Sequence, residues 1–341
     1  MAETREKLLL LDTASLYFRA FYGVPDKITA PDGTPVNAVR GLLDMIATLV
    51  TDHRPTRLVA CWDDDWRPQF RVDAIPSYKA HRMAGASTGT GTGTSTSTGT
   101  VGPAPAPTHG AGSAYAEEVP DLLTPQVPVI VDALAALGIA RVGCPGFEAD
   151  DVIGTLVARE ITAGSGTPVD VVTGDRDLFQ LVDDTAHVRV LYTSRGIKNL
   201  DAIDEARLAE KYGVPTGRAY LDMSMMRGDP SDGLPGVQGI GEKTAATLLA
   251  RYGDLAGVLA ARDDPDDRGL TATQRTRLLA ASDYLDAAPV VVTVAPDAPL
   301  GDVDDTLPGE AADPDALDAL AERWGLGSSV QRVLDAMALG D

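Results

Sequence analysis

The run Gly146-Phe147-Glu148-Ala149-Asp150-Asp151-Val152-Ile153-Gly154-Thr155-Leu156 sets carboxylates at 148, 150 and 151 against an apolar pattern of helical spacing, which predicts a helix over 148–163. Two more aspartates stand in Thr173-Gly174-Asp175-Arg176-Asp177, directly after the apolar strand run Val169–Val172. Like charges at this spacing repel unless a cation sits among them, and a divalent metal ion is the simplest one. A solvated acidic helix start is the other reading, because carboxylates favour the positive end of a helix dipole. The choice depends on where the rest of the chain delivers its acids.

Working outward, Lys7–Leu11 and Leu58–Trp62 read as buried strands that end in Asp12 and Asp63. Helical spacing covers 14–22, 36–50 and 127–137, and short strands are predicted at 140–142 and 188–192. A helix follows over 202–212. Strands alternating with helices imply an α/β fold with a parallel-rich sheet flanked by helices. Ligands in such sheets bind beyond the carboxyl ends of the strands, which is where Asp12, Asp63 and Asp175 fall. Asp229 and Asp232 follow in the loop Arg227–Gly236. Gly236, Gly239 and Gly241 then lead into Lys243, Thr244 and a helix reaching Tyr252, a pattern that lets backbone N–H groups approach a phosphate. Beyond it we expect a helix over 272–287, a strand over 290–294 and closing helices over 314–324 and 330–339.

Composition narrows the chemistry. Cys61 and Cys144 form no zinc spacing or disulfide framework, and His53, His81, His109 and His187 are scattered, so neither a zinc site nor a Ser-His-Asp triad is credible. Carboxylates alone select hard ions, Mg²⁺ or Mn²⁺. The net charge of -21 looks hostile to nucleic acid, but residues 254–341 carry 18 acids against 6 bases. With those and the nine candidate ligands set aside, 23 acids face 23 bases in the remainder. No signal peptide or membrane span is evident, and a cytoplasmic, nucleoid-associated monomer is expected. Residues 83–116, rich in Gly, Ser, Thr, Ala and Pro, read as a disordered insertion.

GFEADDVIGTL (146–156), TGDRDLFQLV (173–182), RGDPSDGLPGVQGIGEKTA (227–245) and SYKAHR (77–82) resemble, in order, the FEN family, in particular the 5′-to-3′ exonuclease domain that begins bacterial DNA polymerase I. The resemblance runs from Leu8 to about Ala260 and more weakly to about residue 295, as in a stand-alone member. It implies a PIN-like nuclease domain (1–180), the rest of the nuclease core with a helix-three-turn-helix near 215–260 (181–295), a helical arch holding the insertion, and an acidic helical tail (296–341). It also implies a two-metal phosphodiester hydrolase acting on DNA with a 5′ end, nick or 5′ flap, and a functional association with a DNA polymerase. The metal ligands it implies are Asp12, Asp63, Glu148, Asp150, Asp151, Asp175, Asp177, Asp229 and Asp232. Arg19, Lys79 and Arg82 would meet the scissile phosphate with Tyr78 beside them, and the glycine run would grip duplex and hold K⁺. Tyr78 itself reads either as a stacking platform for an unpaired base or as a core tyrosine. Val72 stands where the family usually has histidine, and Gly233 where it has asparagine. A non-catalytic DNA-structure binder and an RNA- or hybrid-directed nuclease are the rival readings.

Overall fold

The computed structural model describes residues 6–83 and 119–339. The expected insertion therefore lies, apart from Met83, outside the described residues.

Six strands form one sheet: β1 (Leu8–Asp12), β2 (Arg57–Cys61), β3 (Ala140–Val142), β4 (Val169–Thr173), β5 (Val188–Tyr192) and β6 (Asp201–Ile203). Their order is β3-β2-β1-β4-β5-β6, parallel throughout except for the antiparallel edge strand β6. Successive strands are laid outward from β1 on one side and then the other, so strand order reverses between β1 and β4. All of β1 and β4 is buried, as expected of parallel strands covered on both faces. The two-residue period divides that burial. Leu8 and Leu10 join one core cluster, and Leu9 and Leu11 the other.

One face is covered by α1 (Thr13–Gly23), α2 (Asn37–His53) and α4 (Gln126–Leu137). The other carries α5 (Ala149–Ala163), α7 (Gly217–Arg227), α8 (Glu242–Tyr252) and α11 (Ser282–Val292), with α3 (Gln69–Ala74) packed on α11. α6 (Glu205–Tyr212), α9 (Leu255–Asp263) and α10 (Ala272–Ala280) complete the helical part of that face, and α12 (Pro314–Trp324) and α13 (Gly327–Met337) follow.

Some expectations need correcting. The helix predicted from 202 starts at Glu205, because Asp204 caps it by accepting from Arg207 N, and 201–203 pair with β5 instead. The helix predicted over 272–287 is broken at Ala281 into α10 and α11. The strand predicted over 290–294 is instead the end of α11 (to Val292) and the two residues after it, and in that helix Leu285, Ala288, Val291 and Val292 bury one face. Tertiary burial outweighs the β-propensity of three adjacent valines there. α7 and α9 were not foreseen. The segment read as an acidic tail is helical and acidic, yet α13 packs on α2 and α12 on α4. Leu317, Val330, Val333 and Met337 are buried, with Asp315, Asp318 and Glu322 facing solvent.

Candidate active site

The switch point between β1 and β4 is closed by direct contacts. Asp12 caps α1, accepting from Ser15 N at 3.1 Å and from the Thr173 hydroxyl at 2.6 Å. Gly174 N donates to Ser15 Oγ at 2.9 Å, and Asp175 N to Thr173 Oγ1 at 2.8 Å. Beyond β2, Asp63 accepts from Ala149 N at 2.7 Å, which ties it to the first turn of α5. A cavity of about 230 Å³ opens over these strand ends, lined by Asp12, Asp63, Glu148, Asp150 and Asp175 together with Lys79 and Arg82.

The carboxylates of this cavity repel one another. Burial, with the charges of Asp63 and Asp175, pushes the Asp12 carboxyl up to about 7 despite its two hydrogen bonds. Burial and Glu148 raise Asp63 to about 6. Burial, then Asp12 and Asp175, lift Asp150 well above the ordinary range. A second group adjoins the first through Asp175: burial and the charges of Asp175, Asp232 and Asp229 push Asp177 up to about 8. Cys61 lies beneath the acids, and burial with the charges of Asp12, Asp150 and Asp63 keeps its thiol protonated.

Not all the expected ligands are free. Glu148 caps α5 and is occupied by cations, with Lys79 Nζ donating at 2.5 Å, Arg71 Nη1 donating to Oε2, and the Tyr78 hydroxyl donating at 2.8 Å. Burial works against its charge, but Lys79 and Arg71 hold its carboxyl below the ordinary range. Asp151 is the most fully engaged of them. It is fully buried, and its oxygens accept from Arg71 Nη1 (3.0 Å), Arg71 Nη2 (2.7 Å), Glu148 N (3.1 Å) and Ala295 N (2.8 Å). Of the two readings of Tyr78, the structure has the core one: it is 4% exposed, and its hydroxyl donates to Glu148. Asp232 pairs with Arg82 at 2.5 Å, Asp229 caps the turn at Ser231, and Arg227 lies 3.8 Å from Asp177. Arg19, one turn beyond Ser15, has a buried Nε with no partner, and it lies beside Gly174.

The oxygen-only lining fits a hard divalent ion. Among the described residues no three His, Cys, Asp or Glu side chains close on one point as a ready cage. Such an ion does not require one, since Mg²⁺ keeps several waters and is commonly bound through one or two carboxylates plus substrate phosphate. Burial and mutual repulsion raise Asp12, Asp63 and Asp150 together, the electrostatic pattern of a candidate functional site.

The glycine run forms a separate surface. Gly236 and Gly239 take left-handed φ of 62° and 71°, and a Cβ would strike the Arg227 carbonyl at one and the Arg277 guanidinium at the other. Gly241 caps α8, whose first turn carries an exposed Lys243 and a half-buried Thr244. Glu242 beside them lies 3.6 Å from Arg176 and 3.7 Å from Arg227, joining this turn to the loops of Asp177 and Asp229. Sequence reasoning missed Arg71 as a site residue, because the groups it holds lie 77 and 80 residues away and no local pattern announces them.

Comparison with known proteins identifies the family. Residues 7–213 match the family model of the 5′-3′ exonuclease N-terminal resolvase-like domain, and 215–315 that of its C-terminal SAM fold. The chain is 60% identical over 329 residues to a 5′-3′ exonuclease of Streptomyces coelicolor, covering 96% of this chain and 99% of that one. It is 52% identical over 341 residues to a 5′-3′ exonuclease of Mycobacterium tuberculosis, covering 98% of each. It is also 38% identical over 261 residues to DNA polymerase I of the same organism, covering 76% of this chain and 24% of the polymerase. A phage T5 protein co-crystallised with metal ions shares the fold at TM-score 0.61 and 16% identity, covering 97% of this chain and all of that one. The catalytic core of Rad2 in complex with DNA does so at TM-score 0.54 and 16% identity, covering 99% and 94%. With both family models matched in sequence along one continuous sheet and its flanking helices, the chain belongs to the 5′-3′ exonuclease family.

Proposed function

We propose that the protein is a structure-selective 5′-3′ exonuclease and flap endonuclease that hydrolyses DNA phosphodiester bonds with two bound Mg²⁺ or Mn²⁺ ions. The observation that carries this reading is the convergence of Asp12, Asp63, Asp150 and Asp175, uncompensated by any ion pair among the described residues, on one cavity that Lys79 and Arg82 also line. When bound, such ions lower the pKa of an attacking water and offset charge on the reacting phosphate. The chain's own contribution is to orient and neutralise. Lys79 and Arg82 enter the cavity from one side, Arg19 stands beside the Asp175 loop, and all three suit a phosphate's negative oxygens. Asp177, Asp229 and Asp232 serve the second ion on this reading, with Asp175 shared between the two groups.

Gly236, Gly239, Gly241, Lys243 and Thr244 grip duplex backbone by shape, without reading sequence. A K⁺ held by main-chain oxygens of this run belongs to the same proposal and is tested by exchanging K⁺ for Li⁺ in a duplex-binding assay. DNA is the partner, the protein acts as a monomer in the cytoplasm, and association with a DNA polymerase accords with the likeness to polymerase I. Among the described residues no helix is long and apolar enough to cross a membrane.

The experiment is cleavage of a 5′-labelled flap and a nicked duplex, in DNA and RNA versions, with and without Mg²⁺, beside an Asp175→Ala control. Metal-dependent release of short 5′ products from DNA, lost in the control, is expected. Binding without metal-dependent cutting would overturn the nuclease reading in favour of a structure binder, and cutting confined to RNA or hybrids would overturn the substrate.

A further inference from the structure

Arg71 lies in α3 with a side chain 2% exposed, and all three nitrogens of its guanidinium donate hydrogen bonds. Nε donates to the Val291 carbonyl at 3.0 Å, Nη2 to Asp151 at 2.7 Å, and Nη1 to both Asp151 and Glu148. An ionised carboxylate offers roughly four acceptor positions. Asp151 has donors for all of them, two from Arg71 and one each from Glu148 N and Ala295 N. Glu148 in turn holds Lys79 Nζ at 2.5 Å and the Tyr78 hydroxyl, and the Lys79 ammonium lies 5.1 Å from the Tyr78 ring centroid. Arg71 and Lys79 balance Glu148 and Asp151 in charge, so one wall of the cavity is neutral before any ligand arrives.

Resting on the nuclease reading above, we propose that Arg71 is a positioning residue. Through Glu148 it fixes the ammonium of Lys79 at the cavity, and it withdraws Asp151 from the groups free to hold a metal ion. A lysine is a flexible stem ending in a point charge, and its side-chain entropy must be overcome to keep it in one place. The Lys79 backbone is left-handed, φ 48°, with its N–H donating to the Asp232 carbonyl at 2.9 Å, so both backbone and side chain are held. Only the planar fork of an arginine can bridge two carboxylates and a carbonyl at once. Lysine at 71 keeps the charge and loses that geometry.

The test uses the full chain. Mn²⁺ binding to metal-free protein is measured by calorimetry for wild type, D150N and D151N, and kcat and KM on a 5′-flap duplex are measured for R71K, K79A and the double variant. D151N is expected to keep Mn²⁺ affinity within about threefold, while D150N weakens it more than about tenfold. R71K is expected to lower kcat about tenfold with KM within about threefold, and to add little to K79A, since the two act through one group. Circular dichroism checks folding, and if R71K does not fold, Glu148→Gln breaks the same link from its other side and takes its place in the cycle. Equal loss of Mn²⁺ affinity in D150N and D151N, or multiplying effects of R71K and K79A, would overturn the proposal. Wild type that binds Mn²⁺ but cuts nothing would overturn the nuclease reading instead, and the D150N–D151N comparison would still decide the place of Asp151.

Discussion

The two ends of the sheet treat buried acid in opposite ways. Near the start of β4, Asp170 is 1% exposed and paired with two cations, Lys7 at 2.7 Å and Arg189 at 2.6 Å, with the His53 ring at 3.6 Å. Burial alone would raise its carboxyl, but hydrogen bonds from His53, Arg189 and Lys7 hold it well below the ordinary carboxylate range. At the other end of the same strands, burial first and then the neighbouring acids push Asp12, Asp63 and Asp150 up, and Lys79 offsets the last two only in part. One end uses charge to hold strands and helices together. The other gathers buried acids whose charge an incoming cation would offset further, a departure from local consistency of the kind expected at a functional site. Arg71 shows the boundary between the two within a single helix turn, since Asp151 is compensated like Asp170 while its neighbour Asp150 makes no ion pair among the described residues.

Breaking the bare end has the largest effect. Asp175→Ala is expected to lower flap cleavage about 10³-fold or more, the loss of roughly 4 kcal/mol of transition-state stabilisation, with circular dichroism unchanged. Breaking the compensated end unfolds rather than inactivates. Asp170→Asn leaves Lys7 and Arg189 without their acid and is expected to cost about 3 kcal/mol in urea unfolding at pH 7. Because the folded carboxyl is depressed, that contribution is complete above the unfolded pKa of about 3.9 and is lost as pH falls through the folded value. The gap between wild type and Asp170→Asn should therefore hold steady at neutral pH and close in acid. The smallest effect is on the glycine-run surface, which belongs to neither end. Lys243→Ala is expected to reduce the salt slope of duplex binding by about 1 and leave metal affinity alone.

The strand-end aspartates were legible because parallel strands buried on both faces appear as unbroken apolar runs, so the first polar residue after each marks a carboxyl end. Asp229, Asp232 and the glycine-to-helix turn were legible as local chemistry. Compensation was not. Nothing near Glu148-Ala149-Asp150-Asp151 tells which acids are paired, since Arg71, Tyr78 and the Ala295 N–H arrive from distant parts of the chain. The same limit explains Val290–Val294, whose local β-preference yields to the burial of α11 against the core.

Thermal unfolding of wild type and Asp150→Asn in chelator at pH 8 tests the central claim most directly. Asp150 accepts no hydrogen bond among the described residues, so asparagine removes its charge and little else. A raised folded pKa makes the ionised form a burden that grows as pH rises above the unfolded value, hence the choice of pH. The variant is expected to melt about 2–5 °C above wild type without metal, and saturating Mn²⁺ is expected to raise wild type by more than the variant. A variant that melts at or below wild type in chelator would contradict the account, because the carboxylates would then be no less settled than Asp170.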